Sequence, residues 1–340
     1  MRSRDDLATA FLSNNGWGDA TRAPLAGDAS NRRYERLSHP EHGPAILMDA
    51  PPETGEDVRP FVHIAGHLTG LGLSAPLVIA QDAKHGFLLL EDLGDALFAR
   101  VIPDNPALET PLYETAIDAL WTLHQADLPA DLTAYSPQVM TDMAALAFDW
   151  YLGHGAAPNP TARTAFTSAF LPLLTDHAGD QSALIQRDYH AENLLWLPDR
   201  SGPARVGLLD FQDAMTGHPA YDLVSLLQDA RRDVPPTIEH AMITRYLRLS
   251  GWNRDTFETA YHLLGAQRNL RILGVFARLC LRDGKAHYVD LIPRVWGLYQ
   301  RDLAHPSMAP VAQILRAALP EPTPELLNRL KDKCGQIPTP

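Results

Sequence analysis

Cysteine is scarce in this 340-residue chain, which has only Cys280 and Cys334. Far apart in the sequence, they form neither a disulfide framework nor the close spacing of a zinc site, and such sparing use fits a reducing cytoplasm. Positive charge is in deficit too. The 29 Lys and Arg stand against 41 Asp and Glu, for a formal net charge of −12. That balance argues against nucleic acid or an anionic membrane surface as the main partner, because both are held mostly through clustered basic side chains. No apolar run reaches 18 residues, and the opening stretch MRSRDDLATAFLSNNGWG carries acids early and lacks a signal-peptide core. The expectation is a soluble, unprocessed cytoplasmic protein, read as a monomer. Internal repeats and low-complexity tracts are missing, and the 28 prolines are scattered through turns and the tail instead of forming a linker.

What is present supports a large core. With 45% hydrophobic residues the chain can form two domains or one bilobal domain. Residues 4–15 read as a helix with Leu7, Phe11 and Leu12 on one face. Short strands follow at 32–37, 45–48, 77–80 and 87–90, interrupted by a helix at 57–71 with Phe61, Ile64, Ala65 and Leu68 at helical spacing. From about 106 the pattern turns helical, with further helices near 238–250, 256–281, 285–302 and 308–318. The stretch 184–214 is the clear β insertion.

That insertion carries the chemistry. LIQRDYHAENLLWL at 184–197 and VGLLDFQDA at 206–214 place Asp188, then Asn193 five residues on, then Asp210, each beside an apolar run that reads as a buried strand. ATP-dependent phosphotransfer needs one carboxylate beside the acceptor hydroxyl, with an amide and a second carboxylate holding Mg2+ on the ATP phosphates. The spacing is that of the kinase catalytic loop H-R-D-x-x-x-x-N, with Asp210-Phe211-Gln212 in place of D-F-G. Taken singly, Asp188 and Asp210 read equally well as turn residues satisfied by backbone amides.

With LAGDASNRRYERL at 25–37, AILMDAPPE at 45–53, FLLLEDLGD at 87–95 and QRNLRILGVFARL at 267–279 added, the chain resembles the aminoglycoside phosphotransferase family. Within it, the similarity is greatest to the cell-wall sugar kinases that act on the anomeric hydroxyl of N-acetylmuramate and N-acetylglucosamine. The resemblance runs in order over roughly residues 20–300. It implies an α+β, bilobal protein-kinase-like fold, with a β-rich nucleotide-binding lobe at 1–92 and a mostly helical catalytic and substrate lobe at 93–330. It also implies ATP and Mg2+ as cofactors, Asp188 as catalytic residue, and Asn193 and Asp210 as metal ligands. Ser30, Asn31 and Arg32 would lie over the ATP phosphates, though without the family match Gly27 to Arg32 is a plain β-turn. Glu91 and Leu93 fall where the segment joining the lobes runs past the adenine, with backbone groups pairing to the base; Glu91 and Asp92 also read as solvated linker charges.

Two departures stand out. Met48 occupies the position where the family carries its phosphate-binding Lys, and the helix at 57–71 offers no Glu after Asp57, so Arg32 or Arg33 becomes the candidate cation. Gln186 replaces the His that usually begins the loop. His190 reads as a hydrogen-bonded loop residue, with metal binding or base catalysis as alternatives. On the acceptor side, Asp213 could meet a sugar hydroxyl, approach a second metal ion or cap a turn. Arg268 and Arg271, three apart on one helix face, could receive a carboxylate or pair with Asp222 or Asp229. Tyr221-Asp222 reads as a helix start with an acid near its positive end. Trp150 and Tyr151 could stack on a sugar or fill core. The alternatives in function are an aminoglycoside or choline phosphotransferase and a nucleotide-binding scaffold without catalysis.

Overall fold

The computed structural model describes residues 3–25 and 31–338. In chain order the elements are α1 (Arg4–Asn14), β1 (Thr21–Leu25), β2 (Arg33–His39), β3 (Gly43–Asp49), α2 (Arg59–Gly70), β4 (Val78–Asp82), β5 (Phe87–Glu91), α3 (Phe98–Asp104), α4 (Glu109–His124), α5 (Pro137–Leu146), the single turn α6 (Gly153–Gly155), α7 (Pro160–Ala178), β6 (Ala183–Ile185), β7 (Leu194–Trp196), β8 (Val206–Leu208), β9 (Met215–Gly217), α8 (Ala220–Leu227), α9 (Pro236–Ser250), α10 (Arg254–Leu281), α11 (Ile292–Leu303), α12 (Ala309–Ala318) and α13 (Pro324–Asp332). This α+β chain divides into two compact units, residues 1–129 with 191–214, and 130–190 with 215–340.

In the first unit, five antiparallel strands lie in the order β1-β2-β3-β5-β4. Alternation sends Leu37, Ala45, Leu47, Phe87 and Leu89 to one face, where they pack with Phe11 and Leu12 of α1. Phe11 stacks on Phe87 with ring centroids 5.7 Å apart. A reciprocal cap fixes the start of α1, with Ser3 and Asp6 each accepting the other's backbone N–H. The opposite face carries Tyr34, Arg36, Ile46 and Leu90. The β7–β8 hairpin is tied into this same unit, since the Ser74 carbonyl accepts from Leu208 N–H at 2.8 Å and Ala96 carbonyl from Trp196 N–H at 2.8 Å. The boundary expected after residue 92 therefore falls inside the first unit.

The second unit is built around α10, whose 28 residues are buried on nearly every side. Gly274 lies so close to the Leu146 backbone that a Cβ there would overlap it, and Gly265 stands against the Asp302 carboxylate in the same way. Trp150 and Tyr151 fill core: they are 8% and 0% exposed, and the Tyr151 hydroxyl donates to the Pro320 carbonyl.

Several local expectations need correction. The helix expected at 285–302 is a 3-10 turn (Ala286–Leu291) followed by α11, because Pro293 lacks an N–H and starts a helix more readily than it continues one. Strand β1, which contains Pro24, was not anticipated; it lies at the sheet edge, where a missing N–H is tolerated. The C-terminal helix α13 was also missed. Although distant in sequence, both cysteines are free thiols whose segments meet, with Cys334 Sγ 3.2 Å from the Cys280 carbonyl oxygen. Among the described residues, no helix is long and apolar enough to cross a membrane.

Candidate functional site

The first unit contains a cavity of about 310 Å³ lined by Tyr34, Arg36 and Ile46 of the sheet, by Leu93 in the segment after β5, and by Asp210 and Gln212 after β8. Strand register explains why Asn193 and Asp210 meet. Leu194 of β7 pairs with Leu208 of β8, so the residue before one strand and the residues after the other are neighbours, and Leu209 N–H donates to the Asn193 carbonyl at 3.0 Å. Asn193 Nδ2 lies 3.5 Å from Asp210 Oδ2, while Gln212 Nε2 donates to Asp210 Oδ1 at 2.7 Å. Asp210 has a φ of 58°, a left-handed conformation uncommon outside glycine that Asp tolerates better than most residues.

One carboxylate and one amide oxygen are hard donors of the kind magnesium takes, and it usually keeps waters and substrate phosphate oxygens as its other ligands. Among the described residues no group of three or more His, Cys, Asp or Glu could hold a metal ion alone. Asp213, in the turn after Gln212, is exposed.

Glu91 is occupied as a side chain, ion-paired to Arg200 at 2.5 Å and accepting Leu77 N–H at 3.2 Å. Its carboxylate is thus taken up within the fold. Arg36 holds this segment, pairing with Asp92 at 2.7 Å and Asp95 at 2.6 Å, while Asp92 accepts Gly94 N–H. The Asp95 and Asp92 carboxylates push the Arg36 guanidinium pKa upward. Arg36→Ala is expected to raise the KM for ATP by roughly two- to tenfold, because each partly exposed pair contributes at most about 1 kcal/mol. Steady-state kinetics with varied ATP would check this, and an unchanged KM would show that the segment is held without Arg36.

At the other end of the sheet, Met48 is 1% exposed and shares the cavity-side face with Ile46. In the register Met48 faces Tyr34, and Arg33 faces Asp49; Arg32, just before β2, pairs through Nε with Glu56 at 2.8 Å, each side chain 13% exposed. Burial works against the Arg32 charge, but Tyr34 and Glu56 outweigh it. Glu56 also accepts Asn31 N–H at 3.2 Å. Ser30, with Gly27 to Ala29, lies outside the described residues.

The second unit holds Asp188. Strand β6 pairs with β9 and delivers Gln186, Arg187 and Asp188 at its end. The fully buried Asp222 carboxylate accepts Gln186 N–H at 2.7 Å and Arg187 N–H at 2.9 Å. These bonds fix a turn in which Arg187 has a φ of 71°. Asp222 is thus a brace for the loop more than a helix-end charge. Burial pushes its carboxyl up to about 7, although the two N–H groups pull the other way.

Asp188 itself is one-third exposed, 3.8 Å from Arg268 Nη2. Burial raises its pKa, but Arg271, Arg268, His190 and Arg187 outweigh burial and hold the carboxyl at about 2. Arg268 is 3% exposed, with Nη2 donating to Ser225 Oγ at 2.9 Å. His190 is pushed down to about 4 chiefly by burial, and the neutral ring accepts from Arg231 at 3.1 Å. That leaves it as a loop hydrogen-bonding residue. Asp222, Glu56 and Arg36 are the residues that sequence reasoning missed. For Asp222 the signal was an acid among the mostly apolar residues of Ala220–Leu227; for the other two there was none.

The chain belongs to the phosphotransferase enzyme family (APH), whose model matches residues 21–257; it is an enzyme that transfers phosphate to a hydroxyl. A protein of Caulobacter vibrioides named N-acetylmuramate/N-acetylglucosamine kinase is 41% identical over 343 residues, covering 90% of this chain and 94% of its own. A protein of the same name from Pseudomonas aeruginosa is 36% identical over 330 residues, covering 93% and 95%. The solved structure of a choline/ethanolamine kinase family protein from Mesorhizobium loti superposes with a TM-score of 0.60 at 15% identity, over 93% of this chain and 100% of that one, so the two share a fold.

Proposed function

We propose that this chain uses ATP and magnesium to phosphorylate the anomeric hydroxyl of N-acetylmuramate and N-acetylglucosamine in the cytoplasmic recycling of cell-wall sugars. The relatives named for that activity support the acceptor class. The observation that carries the choice over other acceptors of the family is the cationic surround of Asp188. Arg187, Arg268 and Arg271 all act on its carboxylate. A polycationic aminoglycoside or a choline would bring positive charge toward those guanidinium groups at an unfavourable Coulomb cost, whereas a neutral or anionic sugar would not.

In this proposal Asp188 accepts a hydrogen bond from the acceptor hydroxyl and aims its lone pair at the γ-phosphorus. A carboxylate held at about 2 is a weak base, so the proton passes to it late, as the new oxygen–phosphorus bond forms and the bond to the ADP oxygen breaks. Asn193 and Asp210 hold magnesium, which when bound supplies positive charge against the phosphate oxygens. The hydroxyl proton is already more acidic at an anomeric carbon than in an ordinary alcohol, which suits a weak base. Arg32, braced by Glu56, takes the role of the missing Lys near the phosphates, together with Asn31 and Ser30.

Magnesium-dependent ADP release should be measured with N-acetylmuramate, N-acetylglucosamine, kanamycin and choline as separate acceptors. Turnover is expected with the two amino sugars and not with the two cations. Turnover with kanamycin or choline alone would overturn the acceptor assignment, and ATP binding without release on any acceptor would favour a nucleotide-binding scaffold.

A further inference from the structure

We propose that Arg231 is a positioning residue for phosphoryl transfer, holding His190 as an uncharged hydrogen-bond acceptor and thereby fixing the loop that carries Asp188. The inference rests on the role given to Asp188 above and assigns to its loop a support that lies far along the sequence. Its starting point is the bond between the two side chains, with Arg231 Nη1 3.1 Å from His190 Nε2. A guanidinium stays protonated and has no acceptor atom, so it can only donate, and the imidazole nitrogen facing it must offer a lone pair. His190 is therefore neutral, with its proton on Nδ1.

The turn that carries Arg231 is fixed from both sides. Just after α8, Gln228 donates to Asp302 at 3.0 Å and accepts from Asn269 at 2.8 Å. The Asp229 carboxylate accepts Arg231 N–H at 2.8 Å, and from α11 Arg294 donates to the Arg231 carbonyl at 3.1 Å while pairing with Asp233 at 2.8 Å. A braced turn thus delivers the guanidinium to His190. The ring, 4% exposed, lies two residues after Asp188, on the opposite side from the Gln186 and Arg187 N–H groups that Asp222 holds. Arg231 and Asp222 together secure the loop before and after its catalytic carboxylate.

The charge state of the ring matters because of what surrounds it. The charged groups facing it are Asp229, Arg231, Asp188 and Arg268; the two carboxylates favour its protonation, while burial and the two guanidinium groups oppose it. Asp229 is 2% exposed, and its Oδ2 has no hydrogen-bond partner among the described residues, so a proton on His190 would find a ready counter-charge. An imidazolium two residues from Asp188 would add positive charge against the lone pair that receives the acceptor proton, making a weak base weaker. With Arg231 in place the ring titrates at about 4 and stays uncharged at neutral pH.

The first test uses the unaltered protein with isotopically labelled histidine, the His190 signal being the one lost in His190→Asn. Nitrogen NMR at neutral pH should show a neutral ring with its proton on Nδ1. A proton on Nε2, or a charged ring, would overturn the proposal. Kinetics supply the second test. For Arg231→Met, kcat with N-acetylglucosamine is expected to fall roughly tenfold at neutral pH, the effect of losing a hydrogen bond from a charged donor, with the KM for ATP little changed. An acidic limb absent from the unaltered enzyme should appear between about 4 and the ordinary histidine value of 6.5, because Asp229 and Asp188 then act on the ring without Arg231. Arg231→Lys should restore part of the loss, and in a His190→Asn background Arg231→Met should add little, since its effect runs through the ring. An equal loss at every pH without rescue by Lys, or full additivity of the two changes, would overturn the proposal and leave Arg231 a purely structural residue. Should the unaltered enzyme phosphorylate neither sugar, the kinase reading fails on its own account, and the tautomer still decides whether Arg231 holds the ring.

Discussion

Asp188→Asn is expected to lower kcat by about 10²- to 10⁴-fold, the usual contribution of a positioned carboxylate in proton transfer and orientation, with little change in the KM for ATP. The asparagine keeps the shape and one hydrogen-bond acceptor but removes the charge that Arg271 and Arg268 hold in place. Because the Asp188 carboxyl lies at about 2, below its ordinary value of 3.8, it stays ionised across the accessible range. The stability it contributes is present above pH 3.8 and is lost only as pH falls through about 2. No acidic limb of the rate profile between pH 4 and 6 should therefore belong to Asp188. Single-turnover kinetics with saturating ATP would separate the loss of chemistry from any loss of binding, and a variant that retained full kcat would remove Asp188 from the mechanism.

The second large effect is expected from Asp222→Ala. Removing this buried carboxylate leaves the N–H groups of Gln186 and Arg187 without their acceptor. At about 1–3 kcal/mol for each unsatisfied buried donor, the variant should lose roughly 2–6 kcal/mol of stability, together with most activity, because the turn that carries Asp188 is no longer fixed. The pH dependence has the opposite sign to that of Asp188. The Asp222 carboxyl is raised to about 7 from an ordinary 3.8, so the unfolded chain gives up its proton first. Its contribution therefore favours the folded state below pH 3.8 and declines as pH rises toward about 7. Thermal unfolding of the unaltered protein and of Asp222→Asn across pH 4–8 should show this slope in the former only. Parallel curves would mean that Asp222 is ionised throughout.

How far the sequence alone could lead differs from element to element. The spacing of Asp188, Asn193 and Asp210 was legible because each borders a short continuous apolar run, the mark of a buried strand. The pairing of those strands, β6 with β9 and β7 with β8, was not, since it depends on which segments meet after folding. The same limit hid the brace at Asp222: read locally, an acid in the first turn of a helix is a favourable charge, and only the approach of the loop makes it a hydrogen-bond acceptor. Met48 was recognised as a departure, and Arg32 as one of two candidate cations, but Glu56 was passed over because it precedes the helix that was searched for a partner. Arg268 and Arg271 looked equivalent in sequence. One packs inward on Ser225 and the other stays partly open beside Tyr221, a difference set by how α8 lies on α10.

The central claim is phosphorylation at the anomeric position, and it is tested most directly by following reducing ends and ADP together. With ATP, magnesium and N-acetylglucosamine, the account predicts one reducing end lost for each ADP released, in a product whose phosphate is labile to acid and stable to alkali. Reducing ends that persist while ADP accumulates would place the phosphate on another hydroxyl and contradict the account.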